Sequence, residues 1–161
     1  MRDACLLLQT QNVTYETYYV AYIQSEGVMT TTQTASAGKG MEIDRSKITP
    51  MLLKMFELWN LTTEEKLAAL GLSIDNRAAL TRYKKGEAIS ASRDMLDRAG
   101  NLLAIHKDLR LLFPRNPELA YTWMKTKNRA LHGNTPIETI AEMGFPGLLY
   151  VRSYLDRARG N

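Results

Sequence analysis

The stretch Ser92-Arg93-Asp94-Met95-Leu96-Asp97-Arg98-Ala99-Gly100-Asn101-Leu102-Leu103-Ala104-Ile105-His106-Lys107-Asp108-Leu109-Arg110-Leu111-Leu112-Phe113, closed by Pro114, decides the fold. Met95, Ala99, Leu102, Leu103, Ile105, Leu109, Leu112 and Phe113 recur at the three- and four-residue spacing of one helical face. Ser90 or Ser92 opens this helix, and Gly100 is a place where it could bend. Pro114 stops it, because proline disfavours helical geometry in the residue before it.

The same grammar runs outward in both directions. Downstream, Asn116-Pro117 pairs a cap with proline in the first turn, ahead of Leu119, Ala120, Trp123 and Met124. A polar loop, Lys125 to Asn134, follows. Thr135-Pro136-Ile137-Glu138 then combines an N-cap, a first-turn proline and a capping-box glutamate, the strongest helix start in the chain. That helix stops at Gly144, and Phe145-Pro146 begins a last one with Leu148, Leu149, Val151, Tyr154 and Leu155 facing inward. Upstream, Arg45 to Trp59 places Ile48, Leu52, Met55, Phe56 and Trp59 at helical spacing. Thr62 with Glu65 caps a second helix, which ends at Gly71. Ser73 or Asp75 can cap a third, through Leu80 to about Lys85. No strand and no internal repeat emerges after residue 40. The expected class is all-α: a three-helix, helix-turn-helix-like unit over 44–89, then the long connecting helix and a helical C-terminal domain over 90–161.

Hydrophobic residues at 45% and charged residues at 24% describe a globular chain of 161 residues. Residues 1–40 differ: Met29 to Gly40 is small and polar, with little to bury, after a cluster of Tyr15, Tyr18, Tyr19 and Tyr22. They read as a poorly structured extension. It is either an arm that docks on a partner or, preferably, a leader ahead of a true start at Met29 or Met41. The single cysteine, Cys5, cannot form an internal disulfide, and no apolar run approaches the ~20 residues of a membrane helix. A reducing cytoplasm is the simplest compartment. Residues 1–40 carry −1, so the remainder of the +4 chain carries +5, from 19 basic and 14 acidic side chains. That excess permits an anionic partner without requiring one.

No catalytic constellation is legible. The two histidines, His106 and His132, fall in different elements, and no HExxH, CxxC or phosphate-cradling glycine loop occurs. His106 reads as a hydrogen-bonded helix histidine and His132 as a loop residue open to a binding role. Glu64-Glu65 opens a helix, where carboxylates favour the dipole. The expectation is a protein that is not an enzyme and needs no cofactor or metal. One DNA-facing candidate exists. The third helix offers Asn76 and Arg77 first, then Arg82, Lys84 and Lys85, with no acid between 76 and 85. Asn and Arg suit base edges in the major groove, and the two lysines suit phosphates. The same cations would also stabilise a helix C-terminus, and Asp75 would repel phosphate.

Four runs carry a resemblance: Leu111-Leu112-Phe113-Pro114-Arg115-Asn116-Pro117, Trp123-Met124-Lys125-Thr126-Lys127-Asn128, Gly133-Asn134-Thr135-Pro136-Ile137-Glu138, and Gly147-Leu148-Leu149-Tyr150-Val151-Arg152-Ser153-Tyr154-Leu155-Asp156. In this order and spacing they resemble the Xre/MbcA/ParS antitoxin family. Leu61-Thr62-Thr63-Glu64-Glu65-Lys66 with Leu70-Gly71 resembles the helix-turn-helix of the same antitoxins. The likeness covers roughly 45–159. Leu131-His132 before Gly133 departs from the aromatic or small residue expected there. The resemblance implies a type II toxin–antitoxin system. Its antitoxin covers the active site of a RES-domain toxin, related to ADP-ribosyltransferases and acting on NAD. It further implies a homodimer or hetero-oligomer with the toxin, and repression of its own operon through operator DNA. Toxin-binding residues would be Asn128, His132, Tyr150, Arg152, Arg157 and Arg159. The alternative is a stand-alone repressor with a C-terminal dimerisation domain.

Overall fold

A computed structural model describes residues 44–160. The expectations for residues 1–40 lie outside the described residues. Those described form seven α-helices and two single 3-10 turns, with no strand among them. The helices are α1 (Arg45–Leu58), α2 (Thr63–Ala69), α3 (Arg77–Lys84), α4 (Arg93–Leu112), α5 (Pro117–Thr122), α6 (Pro136–Met143) and α7 (Phe145–Ala158). The all-α expectation holds.

Local chemistry sets most boundaries. Thr62 and Thr135 both form reciprocal capping boxes, with Glu65 and Glu138. Ser92, not Ser90, caps α4 by accepting from the Met95 N–H at 3.3 Å. Asn116 caps α5, whose helix tightens into the 3-10 turn Trp123–Lys125. Gly71 ends α2 at φ +67°, a left-handed conformation that glycine adopts without steric cost. Two expectations need correction. Neither Ser73 nor Asp75 caps α3; they fold into a turn of their own (Asp75 N–H to Ser73 Oγ, 3.4 Å), and Asn76 holds the N-cap position with no side-chain bond. The polar loop 125–134 contains a second 3-10 turn, Arg129–Leu131, and Leu131 drops into the core.

One continuous core joins every helix of this unit. α4 lies at its centre, packed by α1, α5 and α7, while α2 packs against α6. The segments expected at 44–89 and 90–161 therefore share buried surface, from Leu52, Phe56 and Trp59 on α1 to Leu148, Val151 and Leu155 on α7. Two polar links reinforce this. Thr49 Oγ1 accepts from the Ile89 N–H at 2.9 Å while Arg45 donates to the Ile89 carbonyl at 2.7 Å, tying the approach to α4 onto α1. Arg98 of α4 stands over the Phe145 ring at 5.3 Å and lies so close to Gly71 that a Cβ there would meet its guanidinium at 2.5 Å.

Gly147 marks the close approach of α6 and α7. A Cβ at this position would press on the Thr139 carbonyl oxygen and lie 2.9 Å from Met143 Cβ. Backbone cannot yield as a flexible side chain can. Gly147→Ala is expected to destabilise the fold by about 2 kcal/mol, within the range for overpacked cores, read as a lower urea midpoint at unchanged m-value.

Candidate functional site

The C-terminal helix organises the site, and its three sides have different chemistry. One side is buried: Gly147, Leu148, Val151 and Leu155. The flank beside α4 is polar. Arg152 donates to Asn101 Oδ1 at 2.7 Å, and Arg159 pairs with Asp108. Both pairs span 51 positions, so seven residues on α4 match seven on α7. Seven residues are two helical turns, so the two helices run parallel and in register here. Asp108 is 1% exposed. Burial raises its carboxyl above the ordinary value, with Arg159 pulling the other way. The opposite flank is aromatic. Tyr154 stacks on Trp123 with ring centroids 6.1 Å apart, and Tyr150 donates its hydroxyl to the Ala130 carbonyl at 3.1 Å.

Between the flanks, Pro146, Leu149, Ser153 and Arg157 recur at helical spacing and all face solvent. Leu149 is 44% exposed, and Met143, at the end of α6, is 53% exposed. With Pro146 they put three apolar side chains on one open face at the α6–α7 junction.

The six residues expected to touch a protein partner thus fall into distinct settings. Asn128 is built into the loop: its Oδ1 accepts from the Ala130 N–H at 2.9 Å and its carbonyl accepts from Gly133 N–H at 3.1 Å. His132 is exposed in the left-handed region at φ 57°. Tyr150 is half-buried against that loop, Arg152 and Arg159 are engaged with α4, and Arg157 is exposed. Sequence reasoning did not single out Asn101 or Asp108 as site residues, nor Leu149 and Met143. The available signal was two polar residues seven apart on the buried face of the long helix. Leu149 was expected to face inward; it faces out, because the buried arc of α7 is centred on Val151 and Leu155.

The residues expected to face DNA are all on the outside of α3 or at its ends. Asn76 is half-buried; Arg77, Arg82, Lys84 and Lys85 are exposed. Arg77 is held by Glu64 of α2 at 2.8 Å and Arg82 by Glu87 at 3.2 Å. Exposed pairs of this kind contribute little to stability.

The outward stripe of α7 thus lies between an arginine flank and an aromatic flank. Residues 108–160 match the family model of the antitoxin Xre/MbcA/ParS C-terminal toxin-binding domain. The match begins at the buried Asp108, takes in α5, α6 and α7, and ends just past its partner Arg159. It supports an antitoxin role with a toxin as partner. No curated protein matches the chain. Among the described residues, no helix is long and apolar enough to cross a membrane.

Proposed function

We propose that the chain is the antitoxin of a type II toxin–antitoxin pair, and that it neutralises a RES-domain toxin by laying its C-terminal domain over the toxin's active site. The toxin would consume NAD or transfer its ADP-ribose to a protein, in the cytoplasm. The observation that carries this reading is the toxin-binding domain match over 108–160. The chemistry of the surface is compatible with it, since interfaces are anchored by aromatic and arginine side chains. Division of labour follows the proposed boundaries: 44–89 as a helix-turn-helix unit, 90–161 as the toxin-binding part. The decisive experiment co-expresses the full chain with the product of the neighbouring open reading frame. Growth arrest by that product alone, relief on co-expression, and a stable complex that no longer consumes NAD are expected. A harmless neighbour that forms no complex would overturn the reading.

A second reading has its own support. Arg82, Lys84 and Lys85 form an exposed basic end on α3, suited to phosphate contacts in an operator. Binding to the chain's own promoter should then weaken with salt, and Lys84→Ala should reduce the salt slope by about one ion.

A further inference from the structure

We infer that the partner's contact falls on the outward stripe of α7, with Leu149 and Arg157 as its anchors, while Arg152 and Arg159 act as positioning residues that hold this stripe in place. The inference deepens the proposed function and rests on it. Within the matched segment, α7 is enclosed on three sides: by α4, by α6, and by Trp123 with the 129–131 turn. What it leaves open is Pro146, Leu149, Ser153 and Arg157, with Met143 beside Gly147 at the head of the stripe. The stripe carries one charge, that of Arg157, for which no ion pair is found among the described residues. Its complement is a globular protein with an apolar depression for Leu149 and a carboxylate at the rim for Arg157. Arginine is among the side chains that carry most interface energy, and Leu149 with Met143 supplies apolar area beside it that is left open to solvent.

The arginines on the α4 flank are differently placed. Arg159 closes over Asp108, and Arg152 closes over Asn101, two turns away on both helices. Rotation of α7 that freed these guanidinium groups would turn the stripe away, break the Arg152–Asn101 hydrogen bond and strand the buried Asp108 carboxylate under Arg159, which is strongly unfavourable. Their effect on binding therefore passes through the orientation of α7.

The test uses the full chain and the neighbouring reading frame's product as probe. Leu149→Asp and Arg157→Glu should each weaken the complex at least about tenfold with the thermal midpoint of the free protein unchanged. Leu119→Asp, on the exposed face of α5, is the control and should bind normally. Arg159→Ala should lower both midpoint and affinity. Adding Asp108→Asn, which removes the stranded charge, should recover both, a rescue that loss of a direct contact would not show. A complex that forms but is indifferent to Leu149→Asp and Arg157→Glu overturns the inference and leaves the antitoxin reading standing. Sensitivity to Leu119→Asp alone, or failure of Asp108→Asn to rescue, also overturns it. Absence of any complex with the wild-type chain overturns the antitoxin reading instead.

Discussion

Trp59→Ala is expected to remove about 4 kcal/mol of stability, from the range for deleting a fully buried aromatic. Trp59 is 1% exposed at the end of α1. Its ring meets Phe56 at 6.5 Å and His106 of α4 at 5.8 Å, so one side chain fastens the first helix to the central one. Little nearby can collapse into the gap, because Phe56, Met55 and Leu52 are themselves fully packed. The indole Nε1 is buried without an acceptor among the described residues. Trp59→Phe should therefore cost less than the lost ring area suggests, since it also deletes an unsatisfied donor. Urea denaturation followed by far-ultraviolet circular dichroism checks both. One transition is expected in the wild type and in each variant, because α1 to α7 share one core. Two separated transitions in Trp59→Ala, with the second insensitive to the mutation, would show that residues 44–89 fold apart from the rest.

Acid should weaken the fold before its carboxylates titrate. His106 is 8% exposed, stacked flat on Tyr121 at 5.9 Å and tilted against Trp59. Burial lowers its imidazole from 6.5 to about 4, with the nearby Arg110 adding to the effect. The unfolded chain binds a proton that the folded chain rejects, so stability rises with pH across this interval. The contribution is complete above pH 6.5 and is lost as pH falls towards 4; the gap corresponds to about 3 kcal/mol at about 1.4 kcal/mol per unit. Asp108 acts with the opposite sign: its raised carboxyl makes protonation favour the folded state as pH drops through the carboxylate range. Between pH 6.5 and 4.5, the histidine should dominate. Unfolding free energies measured across that window should fall for the wild type and stay level for His106→Phe, which keeps the stacking and cannot take a proton. An equal slope in both would assign the acid sensitivity to another group.

The two predictions converge on one cluster, and that cluster illustrates how far the sequence reaches. Trp59 sits at helical spacing with Phe56 and Met55, so its burial follows from periodicity. His106 reads as a helix histidine near the apolar side, and burial confirms its location. Its stacking on Tyr121 and its depressed protonation depend on where α5 docks, and no spacing along the chain encodes that. The Leu131-His132 pair, an oddity in the sequence, becomes intelligible in the fold. Leu131 is a core plug, and His132 and Gly133 take positive φ to reverse the loop behind it.

What the amino-acid sequence determined unaided is the helical class and most helix boundaries. Thr62–Glu65, Thr135–Glu138, Ser92, Gly71 and Pro114 act within one turn of backbone, so their consequences are local and survive any arrangement of the helices. Only tertiary structure decided which arginines are free. Arg152 and Arg157 lie on α7 and Arg159 caps its C-terminus, and the three look alike as text. Their fates differ because α4, about fifty positions earlier, presents Asn101 and Asp108 to one flank only. Helix docking is a balance of burial over the whole core, and it turned Leu149 outward while pairing Arg152 and Arg159 with α4.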